Sequence, residues 1–301
     1  MANITSSVAT PFLPQIWAME ALNVLRANIT IAHICARDSD YDPGWRGKVL
    51  NIPYPGTFVA QSKVEGNMVG LQTPANAATV QVTLSRHETV DFIVEDYANA
   101  QANSDLLMRY VQPAAIALAE QIESDLMSLY SSFATSIGTS GTNITAALVQ
   151  SARKTLNDNR APVSNRALIV STKDEIALLA DTTLTQYFAY AENRAISEGS
   201  IGKLYGMEVF TSQLIPVVTG TPNSTKCIAM HKDAILLATR PFRDIPASSG
   251  VEASTIIDPV SGIAIRVLNQ YDINNRGAHV GFDVLYGFTA LRPTLGVTVL
   301  T

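Results

Sequence analysis

The clearest pattern along the chain is strict alternation between positions 80 and 94. Val80, Val82 and Leu84, then Val90, Phe92 and Val94, share one parity, and Arg86 and Glu88 occupy that parity between them. A period of two marks a strand whose two faces meet different surroundings. At ~3.3 Å per residue a continuous strand over this stretch would reach roughly 50 Å, against a usual length of about 5–6 residues. The alternation therefore predicts a ribbon projecting from the body. Upstream, residues 49–57 are strand-like but contain Pro53 and Pro55. Proline cannot donate to a ladder, so this piece belongs on an edge or in a loop. Residues 61–78 are polar, carry Gly66 and Gly70, and read as an exposed loop.

A second pattern has the helical period. Leu107, Val111, Ala114, Leu118, Ile122, Leu126, Leu129 and Phe133 follow one another by three or four positions. One apolar stripe of this kind predicts a helix over 104–133, about 45 Å long at ~1.5 Å per residue. Pro113 within it predicts a kink or a fresh helix start. From Thr145 onward, helix and strand alternate. The readings are a helix at 146–157, a buried strand at 167–170 and a helix at 174–180 capped by Thr172 with Glu175 three residues on. Strands are expected at 205–211, 227–230, 263–268 and 279–286. An irregular stretch at 241–254 and an apolar tail after Arg292-Pro293 complete this part. The first 45 residues differ. Pro11 and Pro14 exclude a helix interior around them, a short helix fits 16–25, and 38–44 is a polar turn cluster. No core is legible there, so Phe12, Trp17 and Leu22 need cover from outside the segment. The sum is an α+β chain: an arm, a ribbon, a long striped helix and a compact mixed domain.

Composition narrows the function classes. Apolar residues make up 47% and charged residues only 16%, with 26 acidic and 21 basic side chains and a net charge of −5. A typical soluble domain is roughly 25% charged. Disorder needs the opposite combination of low hydrophobicity and high charge. No run of 18 apolar residues supports a spanning helix. The acidic balance argues against tight sequence-independent DNA binding, which needs many Lys and Arg. Cys35 and Cys227 lie far apart and are expected as reduced thiols.

Motifs for chemistry are few. His33, His87, His231 and His279 show no metal-ligand spacing. Residues 199–204 look superficially like a phosphate loop, but Ser197 stands where its first glycine belongs and Leu204 where its magnesium-binding hydroxyl belongs. Ser151-x-x-Lys154 lacks its companion triplets, Ser-Asp-Asn and Lys-Thr-Gly. Glu120 and Glu123 could pair as carboxylates, or simply flank the stripe. Asp91, Glu95 and Asp96 cluster where strand passes to helix, the last two favouring a helix N-terminus. No catalytic set, cofactor site or metal site is expected. A soluble oligomeric enzyme of unknown reaction is the reading from a different class.

The order of parts resembles the major capsid protein of tailed double-stranded DNA bacteriophages. Leu118-Ala119-Glu120-Gln121-Ile122-Glu123-Ser124-Asp125-Leu126 is similar to the family's spine helix. Ile201 to Phe210 resembles its glycine-punctuated axial strand, Met230 to Ile235 the segment after it, and Gly281 to Gly287 with Arg292-Pro293 its closing strand. The resemblance implies an N-terminal arm at 1–45, an extended E-loop at 46–90 and a peripheral domain with the spine helix at 91–139. An axial domain at 140–265 and a return to the peripheral domain at 266–301 follow. It implies a structural protein that assembles with itself into pentamers and hexamers of an icosahedral shell around phage DNA. A separate scaffolding protein and a portal would take part, with no membrane, in the host cytoplasm on the way to the virion. An encapsulin-type compartment shares this subunit design and is the alternative. The resemblance places Lys63, Glu65, Arg86, Glu88, Phe12 and Trp17 at subunit interfaces. Some relatives join an E-loop lysine to a neighbour's asparagine with a glutamate's aid, for which Lys63 and Asn269, Asn274 or Asn275 are the candidates. The sparse charge then has a cause: neighbours cover much of the surface, and charge should be thinnest on the lateral faces.

Overall fold

The structure, a computed structural model, describes residues 13–38, 47–54, 56, 58–74, 78–101, 106–181, 201–243, 245–246, 250–258 and 262–301. Phe12 lies outside them, as do most of the 38–44 turn cluster and the first two residues of the phosphate-loop look-alike.

In chain order the first part comprises helices α1 (Leu13–Asn28) and α2 (Ile31–Ile34), then strands β1 (Ala36–Arg37), β2 (Val49–Tyr54), β3 (Ala78–Thr83) and β4 (Arg86–Glu95). Helices α3 (Asp96–Gln101) and α4 (Leu106–Met127) follow. The second part has β5 (Thr135–Gly138), α5 (Ala146–Asp158), β6 (Arg166–Val170), α6 (Thr172–Ala180), β7 (Lys203–Leu204), β8 (Met207–Thr211), β9 (Val217–Val218), β10 (Ser224–His231) and β11 (Ile235–Thr239). The chain closes with β12 (Glu252–Ile257), β13 (Ala264–Asp272), β14 (Gly277–Ala290) and β15 (Gly296–Leu300).

Two sheets and a hairpin organise these strands. The first sheet runs β1-β11-β14-β13-β12, with β4 also on β14. The second runs β5-β15-β10-β6-β8-β7, with β9 on β10. Among the described residues, β2 and β3 form a separate two-stranded sheet. The centre of the second sheet is apolar on both faces: Leu168, Ile169, Val170, Cys227, Ile228, Ala229 and Met230 are all fully buried. Strands covered on both sides read as continuous apolar runs, which is why these were legible.

The alternating stretch 80–94 keeps its parity but is not one ribbon. It breaks at Leu84-Ser85. β3 stays with β2, while β4 aligns with β14 from Arg86↔Tyr286 to Glu95↔Gly277. Val82 and Leu84 enter a small core with Leu50, Ile52, Leu236, Ala238 and Leu291, which anchors the hairpin base to β11. Val90 and Phe92 pack against the main core instead, and Val94 is buried. Gly287 marks where the two meet: a Cβ there would run into the Thr83 carbonyl.

The long helix is shorter than its stripe. α4 ends at Met127 and a 3-10 turn, Ser128–Ser132, carries the chain to Phe133. Pro113 does not divide it: the helix runs on through Pro113, which faces solvent together with Arg109, so the carbonyl that proline leaves without a donor lies on the exposed side. The cover for the first segment comes from its own chain. Trp17, Ala18, Ala21, Leu22 and Leu25 are buried, and α1 packs on α4, β12 and β13. Four smaller readings also shift. The α6 cap is Ser171, whose hydroxyl accepts from the Asp174 amide at 3.2 Å and donates to the Asp174 carboxylate at 2.6 Å. The 205–211 strand is two strands turning at Tyr205-Gly206. The irregular stretch ends in β12. The apolar tail is β15, inserted between β5 and β10.

Candidate assembly surfaces

The most exposed apolar surface is the tip of the β2–β3 hairpin. The ladder ends at Tyr54↔Ala78. Beyond it, Val59 and Gln72 hold the two limbs together: Gln72 Nε2 donates to Val59 O at 2.8 Å, and Val59 N to Gln72 Oε1 at 3.3 Å. Gly66 makes the turn at φ +82°. Phe58, Val59, Val64, Met68, Val69 and Leu71 all face solvent, with Met68 at 99% and Leu71 at 102% relative exposure. A lone subunit gains nothing by presenting six large apolar side chains to water, and contiguous exposed patches of this sort mark interaction sites. Lys63 and Glu65 sit on this tip, both exposed.

A second apolar surface is a groove of about 330 Å³ between β4 and the helices after it, lined by Phe92, Ile93, Val94, Glu95, Ala98 and Tyr110. Tyr97, Tyr271 and Ile273 are also exposed. The Tyr271 hydroxyl donates to Asp96 at 2.6 Å, tying the β13 end to the start of α3.

The charged groups mostly tie elements of the same chain together. Arg86 reaches Asp125 on α4 at 3.4 Å and lies over the Phe288 ring. Its partner is therefore within the chain. Glu88 follows on β4, half-buried opposite Val284. Trp17 is 3% exposed and covered by its own helix and sheet, so it is a core residue of the subunit and not one that a neighbour must cover. Among the candidates that lie in the described residues, Lys63 and Glu65 come together on one open surface.

Three of the buried carboxylates, Asp125, Asp283 and Glu123, are not legible as buried from the sequence. Asp125 accepts from the Tyr286 hydroxyl at 2.7 Å and from Gln121 at 3.2 Å. Burial, then the bond to Asp125, push the Tyr286 phenol up. Asp283 pairs with Arg266 through both oxygens, and His87 Nε2 stands 3.4 Å from it. Phe242 stacks 4.0 Å from the Arg266 guanidinium. Glu123 is 1% exposed while Glu120 faces solvent, so the two form no pair. Glu123 instead caps α2, accepting from Thr30 N at 3.1 Å and Ile31 N at 3.0 Å. Burial raises its carboxyl from 4.5 to about 7. A signal for Glu123 was present: Ala119, Ile122, Leu126 and Met127 surround it on the buried helix face.

The remaining chemical motifs resolve into ordinary structure. Ser151 donates to Ala147 O, and Lys154 pairs with Asp158 at 2.6 Å, both along α5. Cys35 and Cys227 are buried free thiols. Burial and Asp174 push the Cys227 thiol up, and it donates to that carboxylate at 3.1 Å. No cluster among the described residues could hold a metal ion.

Comparison with known proteins is consistent with this geometry. A family model described as phage capsid protein matches residues 43–245, about two thirds of the chain. No curated protein matches. Among solved structures, the chain is similar to one from Mycobacterium phage Che8, with TM-score 0.66, 18% identity and coverage of 90% of this chain and 91% of that one. The capsid of Cyanophage P-SCSP1u gives TM-score 0.63 at 15% identity, covering 90% and 87%. The holo-SrpI encapsulin complex from Synechococcus elongatus PCC 7942 gives TM-score 0.50 at 9% identity, covering 89% and 85%.

Proposed function

This chain belongs to the phage capsid protein family, and from that premise we propose that it forms the pentamers and hexamers of an icosahedral shell enclosing phage double-stranded DNA. It is a structural capsid protein with the shell fold shared by phage capsids and encapsulins, and its place is the virion. The observation that carries the finer reading is the hairpin tip. Six exposed apolar side chains on a stalk anchored at Gly287 are a surface that nothing else among the described residues covers, and such patches mark interaction sites. A second copy of the chain is that molecule, with Lys63 and Glu65 setting register at the rim. Exposed ion pairs are worth roughly 0–1 kcal/mol each, so they select alignment and do not drive association.

The functional division we carry is arm 1–45, E-loop 46–90, peripheral domain 91–139, axial domain 140–265 and return to the peripheral domain 266–301. Sheet pairing crosses these labels: β11 and β12 pair with the strands of the returning segment, and β15 joins the second sheet. A separate scaffolding protein, a portal and assembly in the host cytoplasm belong to the same proposal, as does DNA enclosed without sequence-specific contacts. The deciding experiment is electron microscopy of the expressed chain with and without its phage's scaffold. Hollow shells or capsomer rings are expected. A stable monomer under every condition overturns the reading, and native shells loaded with enzyme in place of DNA assign it to the encapsulins.

A further inference from the structure

Helices α1 and α2 are attached to the body in two places, and each attachment carries a polar cost. One is the underside of α1. Trp17 is 3% exposed, and its indole Nε1 has no hydrogen-bond partner among the described residues. The same holds for the buried Oε2 of Glu252 and Oδ1 of Asn269. Those two residues are opposite each other on β12 and β13, the strands on which α1 packs. Asn269 shares the face of Val267 and Ile265, both fully buried in the main core, because alternate residues of a strand point the same way. Their row continues through Val280 on β14 to Phe92 on β4. Phe92 meets the Tyr110 ring of α4 at 5.6 Å, and Gln112 of α4 donates to Glu20 of α1 at 2.8 Å. Trp17, one turn before Glu20, is therefore near the level of the two acceptors. A buried polar atom without a partner is disfavoured against the same atom in water, so lifting α1 relieves all three.

The second attachment is Glu123. Its carboxyl, 1% exposed, accepts from the Thr30 and Ile31 amides at 3.1 and 3.0 Å and from the Ser212 hydroxyl at 3.5 Å. One side chain of α4 thus fixes the start of α2 from 92 residues away. No cation among the described residues pairs with it. On α4 itself, Glu120 faces solvent and Asp125 is bound to Tyr286. After α2 the titratable neighbour is Cys35, whose thiol burial pushes up to about 12 and so keeps neutral. Arg37 and Lys232 act on Cys35 and have partners of their own. After β8 the Ser212 hydroxyl faces the carboxyl. A charge on Glu123 in the docked state is therefore uncompensated, whereas release lets water solvate it.

We propose that residues 13–34 are a pH-gated strap: α1 and α2 lie docked on α4 and the β12–β13 face while Glu123 is protonated, and ionisation of Glu123 releases them. Apolar contact through Ala18, Ala21, Leu22 and Leu25 holds the docked state, and the three unpartnered atoms and the buried acid oppose it. The device belongs to the subunit and does not depend on the shell assignment.

Docked, the acid holds its proton up to about pH 7; released, up to about 4.5. Below the lower value both states are protonated and opening is independent of pH. Above it the opening constant climbs tenfold per pH unit and levels off past the upper value, a rise of about 300-fold in all.

Hydrogen exchange of the full-length, unassembled protein tests the strap. It is followed by mass spectrometry from pH 4.5 to 8 at constant ionic strength and corrected for intrinsic exchange. Peptides within 13–34 are expected to exchange about tenfold or more faster than those of α5 and β10, and to lose protection toward high pH by up to that 300-fold factor. In Glu123→Gln the pH-dependent loss is expected to vanish from 13–34. Glu252→Gln gives Asn269 an amide donor, and is expected to slow exchange of α1 several-fold at every pH with the pH slope kept. Exchange of 13–34 in step with α5 and β10 at every pH overturns the proposal, because the segment then opens only with the whole fold. The same pH profile in parent and Glu123→Gln also overturns it. Unchanged α1 exchange in Glu252→Gln removes the unpartnered atoms from the device.

Discussion

Glu123→Gln should remove a pH dependence of stability that the parent carries between about pH 4.5 and 7. Glu123 is the hinge pin between α4, the start of α2 and Ser212, whose hydroxyl lies 3.5 Å away. Its partners are two backbone amides and that hydroxyl, with no cation. Burial therefore outweighs the hydrogen bonds and lifts the carboxyl from 4.5 to about 7. Unfolded, the group releases its proton near the lower value; folded, it holds the proton to the upper one. Between the two the folded state binds more protons, so this contribution is fully present below the lower value and is lost as pH rises through the upper one. At 1.36 kcal/mol per pH unit the span is on the order of 3 kcal/mol. Glutamine imitates the protonated acid at every pH and keeps one acceptor for the Ile31 amide. Urea unfolding of unassembled subunits at fixed ionic strength, parent against variant, gives the assay. The variant's stability relative to the parent should rise by about that amount from pH 4.5 to 8. Every other titrating group is common to both proteins and cancels in the difference. Parallel pH profiles, or a parent that gains on the variant at high pH, would refute the reasoning.

Removing one partner of a buried ion pair leaves the other uncompensated, so Asp283→Asn should cost roughly 3–5 kcal/mol in urea unfolding, and Arg266→Met with Asp283→Leu much less. Met68→Glu with Leu71→Glu should leave the subunit's circular dichroism and melting intact, because both side chains are fully exposed, while abolishing shells under the microscope. Assembly at parental yield would remove the hairpin tip from the interface. Gly287→Ala should lower the melting temperature and loosen the hairpin base to hydrogen exchange, since the added methyl meets the Thr83 carbonyl. Denaturing electrophoresis of mature particles should show a single band near 32.3 kDa. The Asn269 side-chain oxygen is buried within its own subunit, which disfavours that residue as the acceptor for a neighbour's Lys63. A ladder of higher bands would instead point to Asn274 or Asn275, in the open turn between β13 and β14.

The local patterns in the sequence carried far. The stripe on α4, the apolar runs of β6 and β10 and the alternation on β4 and β14 were legible because each reports a single face against a single core. Their order along the chain sufficed to place the family. The sequence also placed Lys63 in an exposed loop, since glycines and polar residues cannot build a core there.

What tertiary structure alone decided is where those faces find their partners. The break at Leu84-Ser85 leaves the period of two unchanged on both sides, so no local signal marks the point where one strand joins β2 and the next joins β14. Trp17 reads as an apolar residue in search of cover, and only the packing of α1 on α4, β12 and β13 shows that the cover is its own chain. Glu123 and Asp125 look like surface carboxylates until α2 and Tyr286 arrive from 92 and 161 residues away. Hydrophobic periodicity depends on neighbours three or four residues along a helix or two along a strand. Burial of a charge depends on distant chain segments, which no window of sequence contains.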